Sequence, residues 1–288
     1  MMKIKTGELI KKIRTEKMLK SKEVYQDIFT RPSIARFEKG ESDTTTRKFF
    51  EIIDNLNISL DEYYFLYYTD EESVYLKVIE RVLEVQHIGN GEDFLNLEEE
   101  FMSKYKSTSK VVYLHYSCIS HFLAHSYLSL PYPEKQLKTI MEYLFTVGTW
   151  NYYELVLFNN SLDFLHNDFV DSVYKKVQNK MKKLQKLRRY KNELFSLISN
   201  ILVIRIHSQN LEDSKYYLNE LRVNLSVHNT NMYEKTMVIF FNELIKIMEN
   251  PMEDRKKINS VLSVFTFLEM EHNRDQCFQL LEKVAIKK

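Results

Sequence analysis

Basic side chains crowd the first 48 residues of the chain, where 13 Lys and Arg face 7 Asp and Glu, although the whole sequence of 288 residues carries a net charge of only +1. A basic head of this kind suits a polyanion, and the residue types allow a division of labour. Lys11, Lys12, Lys22, Lys39, Arg47 and Lys48 are placed to meet phosphates. Arg31, Ser33 and Arg36 fall at or near the start of one short helix, where side chains reach base edges. Arg is the commonest bidentate partner of guanine, so Arg31 and Arg36 are the stronger candidates for base contact, with phosphate clamping as the other use of either.

The elements that must position these groups are legible in SKEVYQDIFTRPSIARFEKGE, Ser21 to Glu41. An N-cap at Ser21 starts a helix through KEVYQDI, Phe29-Thr30-Arg31 turns the chain, and Pro32 opens a second helix that Gly40 closes. Two short helices across a tight turn make a helix-turn-helix whose second member is the recognition helix. Upstream, TGELIKKIRTEKM sets Leu9, Ile10 and Ile13 on one face; downstream, TRKFFEIIDNLNISLDEYYFLY supplies an apolar cover. With Arg14 in the first helix and the segment SIARFEKGES, residues 1–68 resemble the Xre-type, lambda-repressor-like helix-turn-helix domain. That resemblance implies a structural pair, Arg14 with Glu38, and binding as a dimer to paired half-sites of double-stranded promoter DNA.

After the aromatic cluster Tyr63 to Tyr68, Thr69 reads as an N-cap with acidic residues behind it, which starts a second domain over 71–288 after a very short linker that leaves the two domains touching. Only 5 Gly and 4 Pro occur, so helices with short connections fill the rest. The pattern predicts helices at 71–87, 91–106, 109–129, 133–147, 150–165, 167–187, 190–208, 211–227, 231–249 and 253–271, and one from Arg274. First helices of successive hairpins start near Ser109, Trp150, Tyr190 and Asn231. A repeat of about 40 residues fits a right-handed α-solenoid of tetratricopeptide-like hairpins, and the fold class is all-α.

Within that repeat, Asn159, Asn200 and Asn242 recur 41 and 42 residues apart, late in successive first helices, which line the concave face of such an array. A carboxamide there both donates to and accepts from the backbone of an extended peptide. Tyr153 and Tyr233, near the starts of these helices, add ligand surface. Thr149 to Leu165, TWNYYELVLFNNSLDFL, together with the N-terminal domain, resembles the Rgg (MutR/GadR) family of transcriptional regulators of low-GC Gram-positive bacteria, whose members carry a tryptophan followed by "YELxLFxN". The resemblance spans the chain. It implies a cytoplasmic homodimer whose repeat domain binds a short, hydrophobic signalling peptide and thereby alters promoter regulation, as in quorum sensing. Trp150, Glu154, Leu157 and Phe158 of the motif are expected to pack, and Asn159 to face the ligand. Peptide receptors of the family often add a cation on the same surface, and Arg205 is the candidate here. The alternative is a helix-turn-helix regulator whose repeat domain only dimerises or binds a protein partner.

Other groups point away from catalysis. His121-x-x-x-His125 places two imidazoles on one face, but no Glu follows His121 and Cys118 brings no carboxylate with it, so no metal and no cofactor is expected. There is no glycine-rich phosphate loop and no nucleophile elbow, and an enzyme is not expected. Cys118 and Cys277 read as buried thiols. Seven cations between Lys180 and Lys191 suit a solvated helix C-terminus, or contact with an acidic peptide or flanking DNA. VLSVFTFLEM, Val261 to Met270, is apolar enough for a dimer interface or for core. No apolar run reaches the roughly 20 residues that span a bilayer, and the chain start reads as a helix, not a leader.

Overall fold

The computed structural model describes residues 4–68, 74–184, 186–225 and 231–286, and among them every regular element is helical. The chain divides into two compact units, Met1–His87 and Ile88–Lys288. The break expected between 68 and 71, with its N-cap at Thr69, lies outside the described residues.

The first unit holds α1 (Thr6–Glu16), α2 (Ser21–Tyr25), α3 (Arg31–Glu38), α4 (Thr46–Asn55), α5 (Leu60–Tyr67) and nearly all of α6 (Val74–Ile88). Leu9, Ile10 and Ile13 of α1 pack with Val24, Tyr25, Phe37, Ile52, Ile53 and Leu56 in one small core. The helix expected from Ser21 to Ile28 is shorter and starts one residue differently. Lys20 takes the N-cap position, its N–H donating to the Glu23 carboxylate at 2.6 Å, and Ser21 is the first helical residue. The helix ends at Tyr25 because Asp27 adopts φ +62°, which breaks the turn. α3 ends where Gly40, at φ +65°, lets its N–H reach Phe37 O at 2.8 Å and that of Glu41 reach Arg36 O at 2.9 Å. α1 crosses α3 so closely that a Cβ on Gly7 would lie 1.7 Å from Phe37 O, which fixes α3 against its neighbour.

The second unit runs α7 (Gly91–Thr108), α8 (Val111–His125), α9 (Glu134–Thr146), α10 (Tyr152–Asn159), α11 (Asn167–Leu184), α12 (Arg188–His207), α13 (Leu211–Asn224), α14 (Met232–Glu249), α15 (Lys256–Phe267) and α16 (Glu271–Ile286). These pack as successive hairpins, with α8, α10, α12 and α14 as first helices, and one continuous apolar core runs from α8 to α16. The helix expected over 150–165 is interrupted after Asn159. Asn160 Nδ2 bonds Val156 O at 2.8 Å and Ser161 Oγ bonds Leu157 O at 2.8 Å, ending the helix before a 3-10 turn at Leu162–Phe164. Trp150 lies just before α10, buried, with Nε1 donating to Leu144 O at 3.3 Å. Glu154 is also buried. It accepts from Asn151 N and from the Tyr143 hydroxyl, both at 2.7 Å, which locks the start of α10 onto α9. Ile258, Val261 and Phe265 of α15 enter the core, whereas Phe267 is 86% exposed.

Candidate DNA-reading helix and ligand groove

α3 is held from behind by a closed polar cluster. Arg14 grips Glu38 through Nε to Oε1 at 2.7 Å and Nη2 to Oε2 at 3.1 Å, Tyr25 OH donates to Oε1 at 2.7 Å, and Arg14 Nη1 donates to Leu19 O at 2.9 Å. The Glu38 carboxylate raises the Arg14 pKa through this hydrogen bond, while burial, then Glu38, raises that of Tyr25. The cluster orients α3 without using its outer face. On that outer face Arg31, Arg36 and Lys39 are exposed; Lys11, Lys12 and Lys22 are exposed on α1 and α2. Ser33 shares a 2.9 Å hydrogen bond with Thr30 at the helix start. Arg47 is exposed beside Glu51 at 3.1 Å, and Lys48 lies over the Phe29 ring at 4.9 Å.

In the second unit α12, α14 and α16 enclose a cavity of about 300 Å³. Its walls include Asn200, Val203 and His207 from α12, Tyr233 and Met237 from α14, and Lys283 from α16, and among the described residues no carboxylate lines it. Asn200 leads away from it along a polar ladder. Its Nδ2 donates to Asn159 Oδ1 at 3.0 Å, and Asn159 Nδ2 donates to Glu193 Oε1 at 2.9 Å and Ser196 Oγ at 3.2 Å. Burial raises the Glu193 pKa, and the Asn159 amide acts against it.

The groups expected on one ligand surface are thus divided. Asn200 and Tyr233 border the cavity, and Asn159 stands behind Asn200 with both its donors used. Asn242 turns the other way, accepting from Arg222 of α13 and donating to Glu243 Oε1 at 2.9 Å. Tyr153 points into the protein, its hydroxyl 2.8 Å from His115 Nδ1. Arg205 is the plainest correction. Its side chain has no exposed surface and bridges α11 and α12 through Asn167 and Asp171, the latter at 2.6 Å, with Tyr217 beneath the guanidinium. Its Nε lies 3.5 Å from Asp213 Oδ2, an ion-pair distance without hydrogen-bond geometry. Arg205 lies five residues beyond Asn200 on α12, and five residues rotate a side chain by about 140°, off the face that Asn200 occupies. The α16 residues of the cavity were missed altogether, although Asn273, Gln276, Leu280 and Lys283 follow a three-and-four spacing that marks one helix face.

His121 finds a carboxylate that its own helix does not supply: Glu98 of α7, at 2.7 Å, which also accepts from Gln136 at 3.0 Å. Among the described residues no three His, Cys, Asp or Glu side chains gather as a metal would need. Burial pushes both the Cys118 and Cys277 thiols up to about 12. Of the cations between Lys180 and Lys191, Lys182 lies 3.6 Å from Glu220, Lys191 lies 3.9 Å from Glu234, and Arg189 covers the Tyr152 and Tyr190 rings. Among the described residues no helix is long and apolar enough to cross a membrane.

Residues 95–279 match the family model of the C-terminal domain of the HTH-type transcriptional regulator Rgg. A candidate transcriptional regulator from Listeria monocytogenes EGD-e superposes with a TM-score of 0.80 at 21% identity over 98% of each chain. The SHP pheromone receptor Rgg2 of Streptococcus dysgalactiae follows with 0.78 at 20% identity, over 96% of this chain and 99% of that one. A complex of PrgX with cCF10 gives 0.70 at 14% identity, over 96% and 98%.

Proposed function

We infer the function from the premise that the chain belongs to the Rgg family of HTH-type transcriptional regulators, whose C-terminal domain it carries over residues 95–279. In this reading the first unit binds promoter DNA as part of a homodimer in the cytoplasm. Arg31 and Arg36 face the bases, and Lys11, Lys12, Lys22, Lys39 and Arg47 face phosphates. The second unit binds a short hydrophobic signalling peptide between α12, α14 and α16, and occupancy changes how the paired first units engage DNA. The observation that carries the peptide step is the cavity bordered by Asn200 and Tyr233, with the Asn159 ladder behind it. Support comes also from the fold, which matches a protein named as a pheromone receptor and one solved as a complex with cCF10.

Fluorescence anisotropy of labelled promoter DNA from the protein's own locus tests this reading. Lys11→Ala should weaken binding and reduce the salt slope by about one unit, whereas Arg36→Ala should also relax sequence preference. A short hydrophobic peptide encoded beside the gene should shift the DNA titration. If DNA binds and no such peptide shifts it, the second unit serves dimerisation or a protein partner instead.

A further inference from the structure

The chain keeps its excess of cations in two places. Residues 1–48 carry +6, and between Ser172 and Asn192 nine Lys and Arg stand without a single Asp or Glu. Because the whole chain carries +1, the remaining residues carry −14. The second stretch, at the turn from α11 to α12, is therefore a local concentration of positive charge in an otherwise acidic unit.

Its side chains share one surface. Lys176, Lys180 and Lys183 of α11 fall within a sector about 60° wide, over about 10 Å of helix. Lys180 Nζ donates to Asn151 Oδ1 at 3.2 Å, and the N–H of the next residue, Tyr152, donates to Tyr190 OH at 3.0 Å. Arg189 lies over both tyrosine rings at 5.5 Å, which carries the patch from α11 across the start of α10 to α12. Lys182 and Lys191 have Glu220 and Glu234 as counter-charges. Lys176, Lys183, Lys186 and Arg188 are exposed, and among the described residues no carboxylate lies within ion-pair distance of them.

Helix stability does not account for this arrangement. Cations suit the last turn of α11, where Lys182 and Lys183 stand. Lys176 and Lys180, however, are four residues apart and Lys180 and Lys183 three, spacings at which like charges repel. Arg188 and Arg189 open α12, whose first turn holds no acidic residue, and a cation there opposes the helix dipole. A row of anions relieves all of these repulsions at once. We propose that the patch is a second DNA contact, in which Lys176, Lys183, Lys186 and Arg188 meet backbone phosphates apart from the bases that α3 reads. This inference rests on the DNA-binding reading above. Phosphates fit the patch because they ask for positive charge and for no base recognition.

Fluorescence anisotropy of labelled promoter DNA with the full-length protein, from about 50 to about 200 mM salt, reads the number of phosphates neutralised. Lys176→Gln, Lys183→Gln and Lys186→Gln together should reduce the salt slope by about two to three units, near one per lysine. Lys104→Gln, Lys138→Gln and Lys215→Gln together remove the same charge from lysines paired with Glu100, Glu142 and Glu249, and should leave the slope as it was. Acetylation of lysines by an N-hydroxysuccinimide ester, quantified by mass spectrometry, needs no variant. Saturating promoter DNA should protect Lys176, Lys183 and Lys186 several-fold and leave Lys138 and Lys215 reactive. If DNA binds while the first triple variant keeps the full slope and its three lysines react alike with and without DNA, the inference is overturned and the DNA-binding reading stands. Equal losses of slope in both triple variants would trace the effect to net charge alone and overturn it too. If no promoter DNA binds, that reading falls and takes this one with it. The acetylation result decides the matter even where a variant fails to fold.

Discussion

Two polar networks cross the second unit, and they differ in what they border. Around Arg205, the buried guanidinium is held by Asn167 and Asp171 at the protein surface, and Asp171 also accepts from the Tyr217 hydroxyl at 2.5 Å. Around Asn159, the chain Glu193–Asn159–Asn200 begins half-buried and ends at an exposed amide on a cavity wall. Both tie neighbouring helices by hydrogen bonds between residues 34 to 46 positions apart. The first is centred on a fully buried guanidinium and the second ends at the cavity between α12, α14 and α16, so the first fixes the array and the second can recognise something.

The most damaging way to sharpen that contrast is Arg205→Ala. It empties the space of a fully buried guanidinium and leaves Asp171 with the Tyr217 hydroxyl but no cation, and should cost about 3 kcal/mol, read as an early midpoint in chemical denaturation. If stability were unchanged and peptide binding were lost, the two networks would have to exchange roles. A second buried cluster, His115 with Tyr153 and Tyr143, should reveal itself through pH. Burial pushes His115 down to about 4, so the folded protein resists a proton that the unfolded chain accepts near 6.5. Stability is then full above pH 6.5 and falls progressively as pH drops towards 4, by at most about 3 kcal/mol. His115→Phe should flatten that slope in urea titrations at pH 4.5 and pH 7, and an unchanged slope would show that other groups carry it.

Smaller effects are expected on the ladder beside the cavity. Asn159→Ala removes the donor to Glu193 and Ser196 and should cost about 1 kcal/mol while also weakening peptide response. Asn200→Ala, at the exposed end, should leave the thermal midpoint almost unmoved and still reduce peptide affinity several-fold by calorimetry. Equal stability losses at both positions would mean that the ladder only holds the helices together.

Much of this was legible in the chain because helices announce themselves locally. Gly40 and Pro32 mark the ends of α3, and scarce glycine with a repeat of about 40 residues marks the hairpins. The interruption after Asn159 was not legible, since YELVLFNNSLDFL keeps its apolar spacing while Asn160 and Ser161 bond back to the helix they end. The site was harder still. Equal spacing put Asn159, Asn200 and Asn242 in one set, but a shift of one residue between 41 and 42 is about 100° of helix rotation, enough to turn Asn242 towards α13. Arg205 looked available because its partners Asn167 and Asp171 come from another hairpin. Lys283 and Glu98 were invisible for the same reason: no local pattern tells which distant helix supplies a groove wall or a carboxylate.

The central claim is that the space between α12, α14 and α16 holds the ligand. Val203→Trp fills that space from its wall, and the measurement is calorimetric titration of the variant with a peptide that binds the unmodified protein. The account predicts that peptide binding is lost while promoter affinity and the thermal midpoint stay as they were. Undiminished peptide binding by a correctly folded Val203→Trp protein would contradict it.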